Sequence, residues 1–265
     1  MILPILISLK NFIMIEFFKS LKSLINFHSL ENLEKQIIFY SENSSYTNVF
    51  HSIIFNLLKK NIKVIYVTSD KNDFFFNYKH ECLKTFFISK LIGQIIFLNY
   101  IKCKNLILTL PDLENYYIKK SKSCKKYSYL FHSPVSVHMI YRDKAFFNYD
   151  EIFCVGRHQF DELEKYKNKY NLKNLNLIKA GYPKLDYLSE KYHEADFEKN
   201  KISVAPSWGK ENILDLDLKQ TFEKILTQGY SINFRPHFQM LRNNNKKILS
   251  LKKNFENNKK FYFED

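Results

Sequence analysis

Glycine and proline are scarce in this chain. Five glycines and six prolines are spread over 265 residues. A dinucleotide cradle of the Gly-x-Gly-x-x-Gly kind and a Walker-type phosphate loop both need clustered glycines, and neither pattern occurs. There is no HExxH helix and no Gly-x-Ser-x-Gly elbow, so the sequence does not read as a zincin or a serine hydrolase. The four cysteines, Cys82, Cys103, Cys124 and Cys154, stand roughly 21 to 30 residues apart with no Cys-x-x-Cys pair. Structural zinc and thioredoxin-like exchange are therefore not expected, and the thiols suit a reduced, cytoplasmic protein. Cys154, in the apolar run Ile152-Phe153-Cys154-Val155, is expected in the core.

A long unbroken apolar run is also missing. Residues 1–27 are apolar but interrupted by Lys10, Glu16, Lys19 and Lys22, which argues against a transmembrane span. They lack the basic start and small-residue cleavage site of a signal peptide. Helical spacing places Ile5, Leu9, Phe12, Ile13, Phe17, Leu21 and Leu24 on one broad face. Residues 1–30 are thus expected to form an amphipathic helical segment. It either lies on a membrane surface or packs on its own domain.

What the chain has in excess is positive charge and aromatic residues. The formal net charge is +14, with 25 Phe and 18 Tyr. The Phe, Tyr, Lys, Asn and Ile bias resembles that of an AT-rich genome, so single aromatics and lysines mean little, while each Gly or Pro means more. A basic balance suits nucleic acid, anionic membranes or phosphorylated substrates. The lysines are scattered, with no RNA-binding Gly-aromatic signature, finger spacing or basic arm, so nucleic acid is not an expected partner.

Short apolar runs alternate with helical stretches from Gln36 onward. Strands are expected at 36–40, 63–68, 94–98, 105–110, 127–131, 151–155 and 177–180, and helices at 46–60 (capped by Ser44 or Ser45) and 157–170. The polar stretch 190–201 reads as a linker. The alternation then restarts with strands at 202–205, 230–234 and 261–263 and helices at 216–228, ended by Gly229, and 245–255. The expected fold is α/β: parallel sheets covered on both faces, in an N-terminal domain over 31–190 and a smaller C-terminal one over 200–265. Some 65 residues hold too few strands for a sheet of usual size, so the second domain is expected to be truncated or completed by another chain.

Ligands of such sheets gather at the carboxyl ends of the strands. His132, delivered by Tyr129-Leu130-Phe131 and stopped by Ser133-Pro134, is either a base near neutral pH or a hydrogen-bonded strand-end residue. His138, in Val137-His138-Met139-Ile140, reads as packed rather than reactive. In Arg235-Pro236-His237, arginine offers a fork of donors to a phosphate and histidine adds one more. Pro206-Ser207-Trp208-Gly209 ends a strand where backbone N–H groups and the Ser207 hydroxyl can meet a phosphate. Gly181-Tyr182-Pro183-Lys184-Leu185-Asp186 is a hinge or a turn. His28, His51, His80, His158 and His193 have no partners at useful spacing and read as structural.

Four segments in order then resemble the CDP-glycerol glycerophosphotransferase family, the teichoic-acid primase and polymerase type. They are Leu130-Phe131-His132-Ser133-Pro134, Ala180-Gly181-Tyr182-Pro183-Lys184-Leu185-Asp186, Val204-Ala205-Pro206-Ser207-Trp208 and Phe234-Arg235-Pro236-His237. The resemblance spans roughly residues 36–265. It implies a GT-B-like fold of two Rossmann-like domains with the active site between them. It also implies transfer of glycerol-phosphate or a related polyol-phosphate from a CDP-activated donor to a hydroxyl of a lipid-linked acceptor. Separately, no cofactor and no tightly bound metal are expected. By resemblance His132 takes the place of the proposed base and His237 that of the histidine near the donor phosphates. Arg235 and Ser207 stand at the donor phosphates, and Ser133, Gly181 and Asp186 at the cleft or hinge. Cytoplasmic placement on the inner, anionic face of the membrane is expected. The family usually has His-Gly where this chain has His132-Ser133, and its later phosphate-binding segment is absent before Asp265. The rival expectations are a sugar-nucleotide glycosyltransferase of the same fold, and an inactive fragment or binding module.

Overall fold

The computed structural model describes residues 16, 18–116, 118–191, 200–207, 213–242 and 246–264. The chain divides into two compact units, Met1–His193 and Glu194–Asp265.

The first unit is a seven-stranded, wholly parallel sheet in the order β3-β2-β1-β4-β5-β6-β7. Its strands are β1 (Ile37–Ser41), β2 (Val64–Thr68), β3 (Leu83–Phe87), β4 (Asn105–Leu108), β5 (Tyr127–Leu130), β6 (Glu151–Cys154) and β7 (Asn176–Lys179). The central strands are continuous apolar runs because parallel strands bury both faces. Successive residues alternate between two cores. Ile38, Tyr40, Ile65, Val67, Leu106, Leu108, Tyr127 and Tyr129 enter one core; Phe39, Val64, Tyr66, Ile107 and Leu130 enter the other. Each large side chain fully buried here contributes about 1.5–3 kcal/mol.

Helix α1, described over residues 18–28, buries Ser20, Leu24 and Phe27 and leaves Phe18, Leu21 and Ile25 exposed. The earlier residues of the expected apolar face, Ile5 to Phe17, lie outside the described residues. The other helices of the unit are α2 (Thr47–Lys59), α3 (Phe74–Asn77), α4 (Ile92–Tyr100), α5 (Val137–Ile140), α6 (Arg157–Lys169) and α7 (Pro183–Lys191). Helix α2 covers the second core with Val49, Phe50, Ile54 and Leu58. A 3-10 turn, Ser44–Tyr46, precedes it and is capped by Asn43, not by Ser44 or Ser45.

Two expectations fail. Residues 94–98 are not a strand but the middle of α4, because a five-residue apolar run has no decisive period and tertiary packing sets its state. The strand that completes this edge is β3, whose Lys84 is exposed. Of the expected hinge or turn over 181–186, Gly181 and Tyr182 stay outside regular structure, but Pro183 to Asp186 lie in a helix, Pro183–Lys191. Expected and observed strand boundaries elsewhere differ by at most two residues.

The second unit holds a parallel sheet of order β10-β9-β8, built from β8 (Lys201–Val204), β9 (Ser231–Phe234) and β10 (Phe261–Phe263). Helices α8 (Leu218–Thr227) and α10 (Lys246–Phe255) supply Phe222, Ile248, Leu251 and Phe255 to its core, and α9 (Phe238–Arg242) follows β9. Asp217 caps α8 by accepting the Gln220 N–H at 3.1 Å, and Gly229 follows that helix at φ +91°. That left-handed conformation is the reason for glycine there.

Candidate functional site

In the first sheet the strand order reverses between β1 and β4, and the loops at the carboxyl ends there form the natural ligand position. The loop after β1 is not a phosphate cradle. The Ser45 N–H donates to Asn43 Oδ1 at 2.9 Å, and the Ser44 N–H to Asp70 Oδ2 at 3.0 Å. A carboxylate and a side-chain amide oxygen thus occupy two donors that a dinucleotide turn would offer to a pyrophosphate. The half-buried Glu42 adds a second acid, its carboxyl raised by burial against the pull of Lys90.

His132 comes up two residues after β5 and is half-buried. The Tyr46 ring meets its imidazole edge-on, with centroids 5.3 Å apart. Nδ1 is buried and has no hydrogen-bond partner among the described residues, so the outward edge of the ring is the one bearing Nε2. Burial, and then the charge of Lys184, hold the imidazole below its ordinary value. A neutral imidazole with one outward nitrogen can accept a proton.

Three residues position this loop, and pattern reading assigned a role to none of them. The Tyr182 hydroxyl donates to the His132 carbonyl at 2.8 Å, which joins the first two motif segments. Gln159 of α6 is fully buried. Its Nε2 donates to the carbonyls of Ser133 (3.3 Å) and Val135 (2.9 Å), while its Oε1 accepts the Val155 N–H (3.1 Å). Glu162, one turn later, accepts the Val137 N–H at 2.6 Å and the Ser136 hydroxyl at 3.0 Å. Burial opposes its ionisation, but these donors together hold its carboxyl below the ordinary range. The i, i+3 spacing of Gln159 and Glu162 on one helix was the available signal.

His138 is not packed. Its side chain is 73% exposed, with Nδ1 3.2 Å from Glu162 Oε2, because the short α5 turns it outward. Ser133 is half-buried in the loop that Gln159 pins. Gly181 sits at φ +79°, a conformation that favours glycine. Asp186, in the first turn of α7, lines a separate cavity of about 250 Å³ with Ser52, Ile107, Leu130 and Phe153, and His132 is not among the residues lining it. Of the histidines read as structural, His51 stacks on Phe55 at 4.5 Å, and His80 Nδ1 accepts the Cys82 N–H at 3.1 Å. His193 lies outside the described residues. Cys154 is buried.

In the second unit, the loops after β8, β9 and β10 surround a cavity of about 490 Å³. Ala205, Pro206, Ser207, Arg235, Pro236, His237, Leu241 and Glu264 line it. Backbone bonds fix the frame: the Arg235 N–H donates to the Val204 carbonyl at 2.9 Å, and the His237 N–H to the Pro206 carbonyl at 3.1 Å. His237 Nδ1 accepts the Gln239 N–H at 3.2 Å, so the neutral ring carries its proton on Nε2 as a donor. Arg235 Nε lies 3.5 Å from Glu264 Oε2, with both side chains substantially exposed, so this pair is weak. The structure brings Ser207, Arg235 and His237 to one cavity and adds Glu264. Trp208 and Gly209 lie outside the described residues. Among the described residues no group of three or more His, Cys, Asp or Glu could hold a metal ion, and no helix is long and apolar enough to cross a membrane.

Two wholly parallel sheets, with helices between strands and polar loops at the carboxyl ends, define a GT-B-like α/β fold. Among solved structures, the chain is similar to the wall teichoic acid polymerase TagF soaked with CDPG, at 14% identity and a TM-score of 0.51. That match covers 98% of this chain and 68% of the other. It is also similar to a UDP-N-acetylglucosamine 2-epimerase from Rickettsia bellii, at 12% identity and a TM-score of 0.52, over 87% of this chain and 69% of the other. Identities this low carry the fold. No family model and no curated protein matches the sequence.

Proposed function

We propose that the chain is a transferase that moves glycerol-phosphate, or a related polyol-phosphate, from a CDP-activated donor to a hydroxyl of a membrane-linked acceptor. The observation that carries this reading is the pairing of chemistries at the strand ends. A desolvated histidine stands in a loop whose neighbouring turn is acidic, and a separate cavity is lined by Arg235, His237 and Ser207. The first suits a neutral hydroxyl and the second a pyrophosphate. The order of the four motif segments and the fold shared with TagF add to it.

In this reading His132 takes the proton of the acceptor hydroxyl through Nε2. The hydroxyl oxygen bonds to the donor's β-phosphorus as the bond from that phosphorus to the bridging oxygen breaks, and CMP leaves. Arg235 and His237 hold the charge that grows on the leaving phosphate, with Ser207 as a further donor. No cofactor is needed beyond the activated donor. The exposed Phe18, Leu21 and Ile25 beside Lys19 and Lys22, together with the net charge of +14, favour a peripheral position on an anionic inner membrane face and an acceptor anchored there. Nucleic acid is not a partner in this reading.

Similarity to a UDP-N-acetylglucosamine 2-epimerase favours a second reading, a sugar-nucleotide glycosyltransferase. Competition separates the two. Protection of the second unit from proteolysis by CDP, and not by UDP or GDP, supports the first; protection by UDP alone replaces it with the second.

A further inference from the structure

Outside the site just described, two cysteines share one place in the first sheet. Cys103, two residues before β4, and Cys124, three before β5, pair in parallel register as an isolated bridge. The Cys103 N–H donates to the Ser123 carbonyl at 3.3 Å, and the Lys125 N–H to the Cys103 carbonyl at 3.0 Å, so the backbone is fixed on both sides of the pair. The sulfurs are 3.2 Å apart and nearly buried, with Cys103 6% and Cys124 8% exposed. Adjacent strands run about 4.7–4.9 Å apart, inside the Cα separation of about 4.4–6.8 Å that a disulfide spans. Closing this pair to a disulfide bond of about 2.05 Å needs the sulfurs to approach by roughly 1 Å.

We propose that Cys103 and Cys124 form a redox modification site, in which an oxidant of the hydroperoxide class converts the two thiols to a disulfide that closes the β4–β5 connection. Cys124 is the attacking sulfur. The Cys103 thiol donates to it, and that bond, ahead of its other neighbours, holds Cys124 below the ordinary thiol value while Cys103 is raised. Its thiolate attacks the peroxide, the O–O bond breaks, and hydroxide leaves with Cys124 as the sulfenic acid. The Cys103 sulfur then attacks that sulfur and the second oxygen departs as water. With hydrogen peroxide the hydroxide takes up the proton lost from Cys124, so two thiols and one hydrogen peroxide yield one disulfide and two waters; an alkyl hydroperoxide yields its alcohol and one water. In a reducing compartment the pair rests as thiols. Cys82 and Cys154 have no such neighbour: one precedes β3 and the other is buried in β6.

The test is thiol mapping on the wild-type chain. Protein is treated with hydrogen peroxide, denatured in alkylating reagent and digested for mass spectrometry. The expected result is loss of two of the four thiols, a linked Cys103–Cys124 peptide, and full reversal by dithiothreitol. Closing a loop of this length also raises the melting temperature by roughly 5–10 °C. Cys103→Ser abolishes both changes and leaves Cys124 trappable by dimedone as the sulfenic acid. The proposal is overturned if all four thiols stay alkylatable, if Cys124 oxidises without linking, or if the link joins Cys82 or Cys154. The mapping uses unaltered protein, so its outcome does not depend on whether a variant folds.

Discussion

The Tyr182 hydroxyl donates a 2.8 Å hydrogen bond to the backbone carbonyl of His132. The two residues are 50 positions apart. The bond reaches the main chain and leaves the imidazole to its own environment. It fixes where the ring stands without altering what the ring can do.

Tyr182→Phe removes that bond and little else. The expected cost is about 1 kcal/mol of stability. Under the proposed role of His132 as the base, turnover falls roughly tenfold with donor KM unchanged, because the ring is misplaced and donor binding is untouched. Urea unfolding and steady-state kinetics check the two halves. An unchanged turnover rules out a positioning role for Tyr182.

Gln159→Leu is expected to be more damaging. It keeps the volume but takes the side-chain partner from the half-buried Ser133 and Val135 carbonyls and from the Val155 N–H. A loss of roughly 3 kcal/mol follows, at about 1 kcal/mol for each of the three hydrogen bonds lost. Glu162→Gln, at a half-buried site, costs less, on the order of 1 kcal/mol. The shift in urea midpoint between the two variants measures the difference.

Protonation of His132 opposes folding. Its folded value lies below the ordinary 6.5, so between the two values the unfolded chain binds more protons. Stability therefore rises as pH climbs through the window just below 6.5 and falls as pH drops into it. His28 and His51 are also lowered, chiefly by burial, and share this sign. His132→Asn should remove only part of the slope. Lys184→Met should move the imidazole titration upward, read by NMR of the ring protons, and move the acid limb of kcat/KM with it.

Arg235 is expected to matter for its shape as well as its charge. Arg235→Lys keeps the charge but loses the planar fork, and Arg235→Ala loses both. Titration calorimetry with CDP should show weaker binding by roughly tenfold for the first and a hundredfold for the second, about 1.4 kcal/mol per tenfold step. Equal affinity in all three proteins removes Arg235 from the donor site.

How much of this was legible depended on whether the signal was local. β1, β2 and β5 could be read because a buried parallel strand is a continuous apolar run with breakers at its ends. α4 could not, because Gln94-Ile95-Ile96-Phe97-Leu98 satisfies a strand and a buried helix equally until Phe97 and Leu98 find the core. Lys84 masked β3 by interrupting its run. His132, Ser207, Arg235 and His237 stand next to strand ends, so sequence order alone placed them. Gln159, Glu162 and Tyr182 act across roughly 20 to 50 residues, and that proximity exists only once the sheet has formed. His138 misled because its apolar neighbours suggested packing, whereas the short α5 exposes it.

That His132 and His237 serve one phosphoryl-type transfer can be measured directly. The assay is steady-state release of CMP from CDP-glycerol, with a lipid-linked hydroxyl acceptor on anionic vesicles, by the wild-type chain, His132→Ala and His237→Ala. Acceptor-dependent CMP release is expected from the wild type. His132→Ala should lose about 10²–10⁴-fold in turnover, and His237→Ala a comparable factor, from removing one donor at the charged leaving group. Near-wild-type release in either variant, or wild-type turnover with UDP-activated sugars and none with CDP-glycerol, contradicts a shared role for the two histidines in this reaction.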